Sequence, residues 1–203
     1  MNDGFGLNYD AGGPDNAYGA TEKVLGARFE VPYHLAPNTY HLSVVLISIT
    51  KRTDGGTVLK CVRADGTETW QKQQGGHAAF FSRHDLTHYA VESELGIRSA
   101  FFGLIADGWS IDETGQRGVA AKLPADAIFV ESVVGTLDSE RASGSRWTAE
   151  EFNENTARFA ANGGRATPRN LTDDELARIR KRRAELFAQW AALPAGESLE
   201  LPF

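Results

Sequence analysis

The chain has 203 residues, 41% of them hydrophobic and 24% charged, a balance that suits a folded protein able to bury a core without disulfides or a structural metal. Its 27 acidic side chains outnumber 21 basic ones, and the formal net charge of −6 opposes delocalised binding to a polyanion, which argues against nucleic acid as a partner. The lone cysteine, Cys61, excludes an intrachain disulfide and fits a reducing compartment.

The opening Met1-Asn2-Asp3-Gly4-Phe5-Gly6 lacks the basic and apolar regions of a signal peptide. No apolar run approaches the ~20 residues of a membrane span, so the expected location is the cytoplasm, with no membrane partner. Residues 1–23 are glycine-rich and aperiodic and read as an extended arm. Residues 24–203 read as one α+β domain, with 24–74 mainly strands and 77–195 mainly helices.

Within the domain, β-branched and aromatic residues dominate 27–31 and 39–50, punctuated by Pro32 and Pro37, which predicts strands. Asp54-Gly55-Gly56 and Asp65-Gly66 then divide the chain into an antiparallel meander over Thr57–Ala64 and Thr67–Lys72. Read as a two-residue turn, Asp65-Gly66 sets Arg63 opposite Glu68 and Cys61 opposite Trp70.

After Gly75-Gly76 about five helices follow. Ser82-x-x-Asp85 resembles a capping box opening a helix that closes at Gly96. A second apolar stretch spans Ser99–Ala106, and a third segment runs from Pro124 to about Arg141. Thr148-x-x-Glu151 and Thr172-x-x-Glu175 open two more, the last carrying Leu176, Ile179, Leu186 and Trp190 at helical spacing. Alternation of Leu199, Leu201 and Phe203 suggests a C-terminal edge strand. The basic run Arg178, Arg180, Lys181, Arg182 and Arg183 reads as a solvated face of the last helix.

One constellation carries chemistry. At roughly 100° per residue, His84, His88, Glu92 and Asp85 fall within one arc of about 100°, with Val91 and Leu95 beside them and Leu86 and Ala90 behind, so the helix should be buried on both flanks. Two buried imidazoles one turn apart need partners for their ring nitrogens, and a divalent cation, zinc first, satisfies both. The same i, i+4 spacing serves zinc hydrolases of the His-Glu-x-x-His type, in which the residue after the first histidine is the general base. Asp85 occupies that place and is a candidate base or ligand. Glu92 can reach the ring of His88 but not that of His84, so it is expected to orient His88. The third ligand must come from elsewhere. Glu131 is the first candidate, because a carboxylate within Ile128–Val134 is awkward without a partner; Asp138, on the same face, and His77 follow.

His84-Asp85-Leu86-Thr87-His88 resembles the His-Asp-x-x-His core of the Coq4 family, zinc-binding proteins of ubiquinone biosynthesis. That resemblance implies metal coordination by His84, Asp85 and His88; the family's glutamate twelve positions further on corresponds here to Ala100. The wider stretch His84–Trp109 resembles uncharacterised bacterial proteins and implies no activity.

Phe101, Phe102 and Trp109 are the expected apolar wall of a substrate pocket, brought beside the histidines by the short turn after Leu95. Two functions stay open. The first is a divalent-metal protein, a hydrolase or lyase of a small molecule, with Asp85 and Glu92 assisting. The second is a non-catalytic binding or interaction protein whose histidines form a buried hydrogen-bonded pair, with self-association served by the arm and the basic face. In that case Asp85 only caps the helix, and Glu131 pairs with an arginine.

Overall fold

A computed structural model describes residues 45–116, 122–167 and 169–203. The expected arm at 1–23, the strand at 27–31 and the first part of the strand at 39–50 lie outside these residues. Within them the order is β1 (Val45–Lys51), β2 (Thr57–Arg63), β3 (Glu68–Gln73), α1 (Gly76–Leu95), α2 (Phe101–Ala106), α3 (Ile111–Thr114), α4 (Ala125–Ser143), α5 (Ala149–Asn162), α6 (Asp173–Ala192) and β4 (Ser198–Pro202). The architecture is α+β: an antiparallel sheet ordered β3-β2-β1-β4 with helices packed on it. β4 is the C-terminal edge strand that the Leu199/Leu201/Phe203 alternation predicts, paired along β1 from Thr50↔Ser198 to Leu46↔Pro202.

The hairpin between β2 and β3 departs from the expected register. Arg63 N donates to Thr67 O and Gly66 N to Arg63 O, so Ala64-Asp65-Gly66 is a three-residue loop with Gly66 at φ 83°. The slip of one residue puts Cys61 opposite Thr69 and Lys60 opposite Trp70. Because side chains alternate across a strand, Cys61 points into the core while Trp70 lies on the outer face, 59% exposed. Asp65 Oδ1 fastens the loop by accepting from both the backbone N and the hydroxyl of Thr67.

α1 also starts earlier than expected. It opens at Gly76 behind Gly75, and Ser82, the expected cap, is an interior residue whose hydroxyl donates to Ala78 O. The extra helix ahead of Ser82 carries Phe80 and Phe81 onto the same rod as the histidines. The capping boxes at Thr148/Glu151 and Thr172/Glu175 form as expected, and a third, Ser110/Glu113, opens the short α3. The Lys51 ammonium donates to Trp190 O and Leu193 O, closing the C-terminal end of α6 against β1.

α1 lies between two apolar clusters, which explains why it is buried nearly all round from Phe81 to Glu92. Toward the sheet, Leu86, Tyr89 and Ala90 pack on Val45, Ile47, Ile49, Leu59, Cys61 and Leu201, joined by Phe102 of α2 and Leu186 of α6. Away from it, Val91 packs with Phe129, Val130, Val133, Val134 and Leu137 of α4 and with Leu176 and Ile179 of α6. α4 meets α5 closely at Gly135, where a β-carbon would stand 2.4 Å from the Phe159 ring. The two histidines of α1 therefore face α4 in the seam between the two clusters.

Candidate metal centre

His84 and His88 stand one turn apart on the face of α1 turned toward α4, both 4% exposed. Their Nε2 atoms converge to 3.2 Å, and His88 Nε2 lies 3.2 Å from Glu131 Oε2 on α4. Among the described residues these three form the one group whose ligand atoms could hold a metal, all within 4.8 Å of one another. Two ligands about 2.05 Å from a tetrahedral zinc stand about 3.3 Å apart, so both 3.2 Å contacts match an edge of such a coordination shell. Glu131 is thus the carboxylate that the structure brings to the histidines, and its side chain, 33% exposed, gives the group an outlet to solvent.

The outer nitrogens are backed by carboxylates. Because a carboxylate can only accept, the 3.1 Å contact makes His84 Nδ1 the donor to Asp138 Oδ2, and in the neutral ring this leaves Nε2 as the lone-pair donor. His88 Nδ1 faces Glu92 Oε1 at 3.6 Å, too far for a hydrogen bond, and is the single side-chain polar atom among the described residues that is both wholly shut off from solvent and without a partner. An orphaned imidazole nitrogen beside a carboxylate is what a histidine awaiting a small ring rotation onto a ligand would show. Glu92 cannot move to meet it. Fully buried, it accepts from Phe102 N at 3.0 Å and Gly103 N at 3.3 Å, so it is pinned at the start of α2. Gly103 permits that approach, since a β-carbon there would fall 2.0 Å from Arg98 O.

The electrostatics follow the same geometry. Burial pushes the His88 pKa down, but the hydrogen bond to Glu131 and the negative charge of the nearby Glu92 carboxylate outweigh it and hold His88 well above its usual range. Burial likewise pushes Glu131 up, yet the bond to His88 and the nearness of His84 keep it low. Burial raises Glu92, partly offset by His88 and the α2 amides. Burial also raises Asp85, to about 6, against a lowering pull from His84 and His88.

The remaining expected site residues divide. Asp85 is buried beside the histidines on the flank toward Cys61, outside the three-ligand group, and no hydrogen bond from the described residues holds its carboxylate. His77 is exposed in the first turn of α1 and stacks on Phe81. Phe101 reaches the site, its ring 5.1 Å from that of His88. Phe102 lies in the core against Tyr89 and Phe203, and Trp109 lines a surface depression with Asp107, Glu113 and Lys122. Phe80 stacks on His84 at 5.5 Å. It is absent from the sequence-derived site because the expected start of α1 falls after it.

Arg183, expected on a solvated face, is instead buried. It is 8% exposed, and its guanidinium donates to Thr87 Oγ1, Leu137 O and Asp138 Oδ1. The sequence does carry the signal: Leu176, Ile179, Arg183, Leu186 and Trp190 make one stripe at helical spacing, with the arginine in the middle of it. Arg180 is likewise engaged, in a bidentate pair with Glu140 that also reaches Trp147 O.

Comparison with protein-family models, with curated proteins and with solved structures finds no match to the chain. The similarity to the Coq4 family therefore has no support beyond the His84/His88/Glu131 group itself. No helix among the described residues is long and apolar enough to cross a membrane.

Proposed function

We propose that the protein holds a divalent cation, zinc first, through His84 Nε2, His88 Nε2 and a Glu131 carboxylate oxygen, and that it is a metal-dependent hydrolase or lyase of a small molecule. The observation that carries this reading is the gathering of three ligand atoms within 4.8 Å of one another, His88 Nε2 standing 3.2 Å from each of the other two, with a carboxylate behind each imidazole. Two histidines and one carboxylate are a donor set that zinc hydrolases use, and three protein ligands leave a fourth position for water or substrate. Bound there, the metal would lower the pKa of its water toward neutrality or polarise a carbonyl.

The chain's own residues have distinct parts in this reading. Asp138 and Glu92 orient the two rings. Asp85, held near neutrality by burial, is the candidate proton acceptor, because a carboxylate with a pKa of about 6 can exchange a proton at cellular pH. Phe80, stacked on His84, and Phe101, tilted against His88, supply apolar surface for a substrate. A cytoplasmic location accompanies this proposal.

One observation favours the rival, non-catalytic reading: the 3.2 Å Nε2–Nε2 contact can itself be a hydrogen bond between an imidazolium and an imidazole. It leaves His88 Nδ1 buried without a partner, a cost of about 1–3 kcal/mol that a metal-bound His88 turned onto Glu92 would avoid. Elemental analysis of purified protein and of the His84→Ala/His88→Ala variant separates the two. About one metal ion per chain, lost in the variant, supports the metal centre; metal-free protein after exposure to zinc supports the hydrogen-bonded pair.

A further inference from the structure

α6 contributes no ligand atom to the group on α1 and α4, yet it buries a charge beside it. Arg183 sits in the apolar stripe of α6 and donates Nη2 to Asp138 Oδ1 at 2.9 Å, while Asp138 Oδ2 accepts from His84 Nδ1 at 3.1 Å. Its other two bonds reach Thr87 Oγ1 on α1 at 3.0 Å and Leu137 O on α4 at 3.1 Å, so one guanidinium ties together both helices that carry the ligands. A buried arginine–carboxylate pair is poor value for stability alone, since apolar residues of similar volume commonly do as well. What the pair does supply is orientation: with Oδ1 held by Arg183, only Oδ2 faces His84, and the imidazole is fixed with its proton on Nδ1.

The geometry points to Arg183 and Asp138 as positioning residues of the metal centre, a relay from α6 that holds His84 Nε2 toward the cation. This rests on the metal reading above and adds to it that zinc affinity depends on a residue outside the ligand set. The two imidazoles are thereby held differently. Glu92, which backs His88, is fixed by the amides of α2; Asp138, which backs His84, is fixed from α6 and by the more distant Arg141 at 3.7 Å.

A second ion pair between the same two helices provides the control. Glu140 and Arg180 join α4 to α6 as Asp138 and Arg183 do, but Glu140 turns toward Trp147 N and touches neither histidine. Zinc affinity is measured by competition with a chromophoric chelator for the wild type, Asp138→Asn, the apolar replacement Arg183→Met/Asp138→Leu, and Glu140→Gln. The relay predicts a loss of about 10- to 100-fold for the first two variants. Glu140→Gln should bind zinc as the wild type does even where its melting temperature falls. Folding of the apolar double variant, checked by circular dichroism, guards against loss of affinity through loss of structure.

Equal affinities for Asp138→Asn and Glu140→Gln overturn the relay while leaving the metal centre standing. Nitrogen NMR of the histidine rings in metal-free protein separates the remaining case. If the wild type takes up no zinc, the metal reading falls, and a His84 tautomer that changes on Asp138→Asn still upholds the orienting pair; a tautomer that does not change overturns that too.

Discussion

Replacing Asp85 by asparagine should change how stability depends on pH. The carboxyl is 6% exposed and accepts no hydrogen bond from the described residues, and burial raises its pKa from 3.8 to about 6. The folded state therefore binds the proton more tightly than the unfolded state. Stability from this group is fully present below pH ~4 and is lost as pH rises through about 6. A shift of about 2 units corresponds to about 3 kcal/mol, a large part of the roughly 5–15 kcal/mol that holds a typical domain together. The substituted asparagine does not titrate, but its buried amide carries a fixed cost of its own, so the informative quantity is the difference between the two proteins as a function of pH. Urea unfolding with a chelator present, at about pH 4 and about pH 8, should show the variant gaining about 3 kcal/mol on the wild type between the two. At a urea slope of about 2 kcal/mol per molar, the relative midpoint moves by about 1.5 M. A difference between the proteins that stays flat across that pH range would refute the claim that Asp85 is buried as a destabilised anion. With it would go its candidacy as a proton acceptor.

Other expectations can be checked as directly. His88 carries a proton in the metal-free protein at neutral pH, because its pairing with Glu131 and Glu92 holds its pKa up. Zinc uptake at about pH 7.5 should therefore release about one proton, seen by calorimetry in two buffers of different ionisation enthalpy; no release would contradict the His88–Glu131 pairing. Glu131→Gln removes both the anionic ligand and the partner of the charged His88, and should weaken zinc binding by at least about tenfold in a chelator competition, with the metal-free protein melting lower than the wild type. Cys61 is buried and its thiol is pushed up to about 12, so a disulfide reagent in mildly alkaline buffer should label it only after denaturant is added. Gly135→Ala drives a methyl against the Phe159 ring and should cost about 1–3 kcal/mol, read as a lower melting temperature.

The parts of the fold legible from sequence are those specified by local chemistry. Capping boxes at Thr148 and Thr172, the Gly96 terminator and the alternation of Leu199, Leu201 and Phe203 each place an element with residues close in sequence. The β2–β3 register is not legible, because Asp-Gly suits both a two-residue turn and the last two positions of a three-residue loop. The Asp65 side chain bonds to Thr67 within the longer loop. Ser82 misleads for a related reason: a serine three residues before an acid also fits a helix interior when its hydroxyl bonds back one turn.

At the site, the helical spacing of His84 and His88 and the discomfort of Glu131 in an apolar run are enough to name all three members of the group. Asp138, a ligand candidate by its helical face, instead backs His84. Arg183 is hidden by its neighbours: the basic run from Arg178 onward looks like a surface, and only its place in the Leu176–Trp190 stripe marks it as buried. Tertiary partners from three helices decide these roles, and no local pattern contains them.

The central claim is that two imidazoles and one carboxylate share a cation. X-ray absorption at the zinc edge, on protein equilibrated with zinc and then dialysed, tests it most directly. The account predicts about one zinc per chain with two imidazole nitrogens at about 2.0–2.1 Å and the rest of the shell made of oxygen. Zinc that washes out, or a shell without histidine, would contradict it.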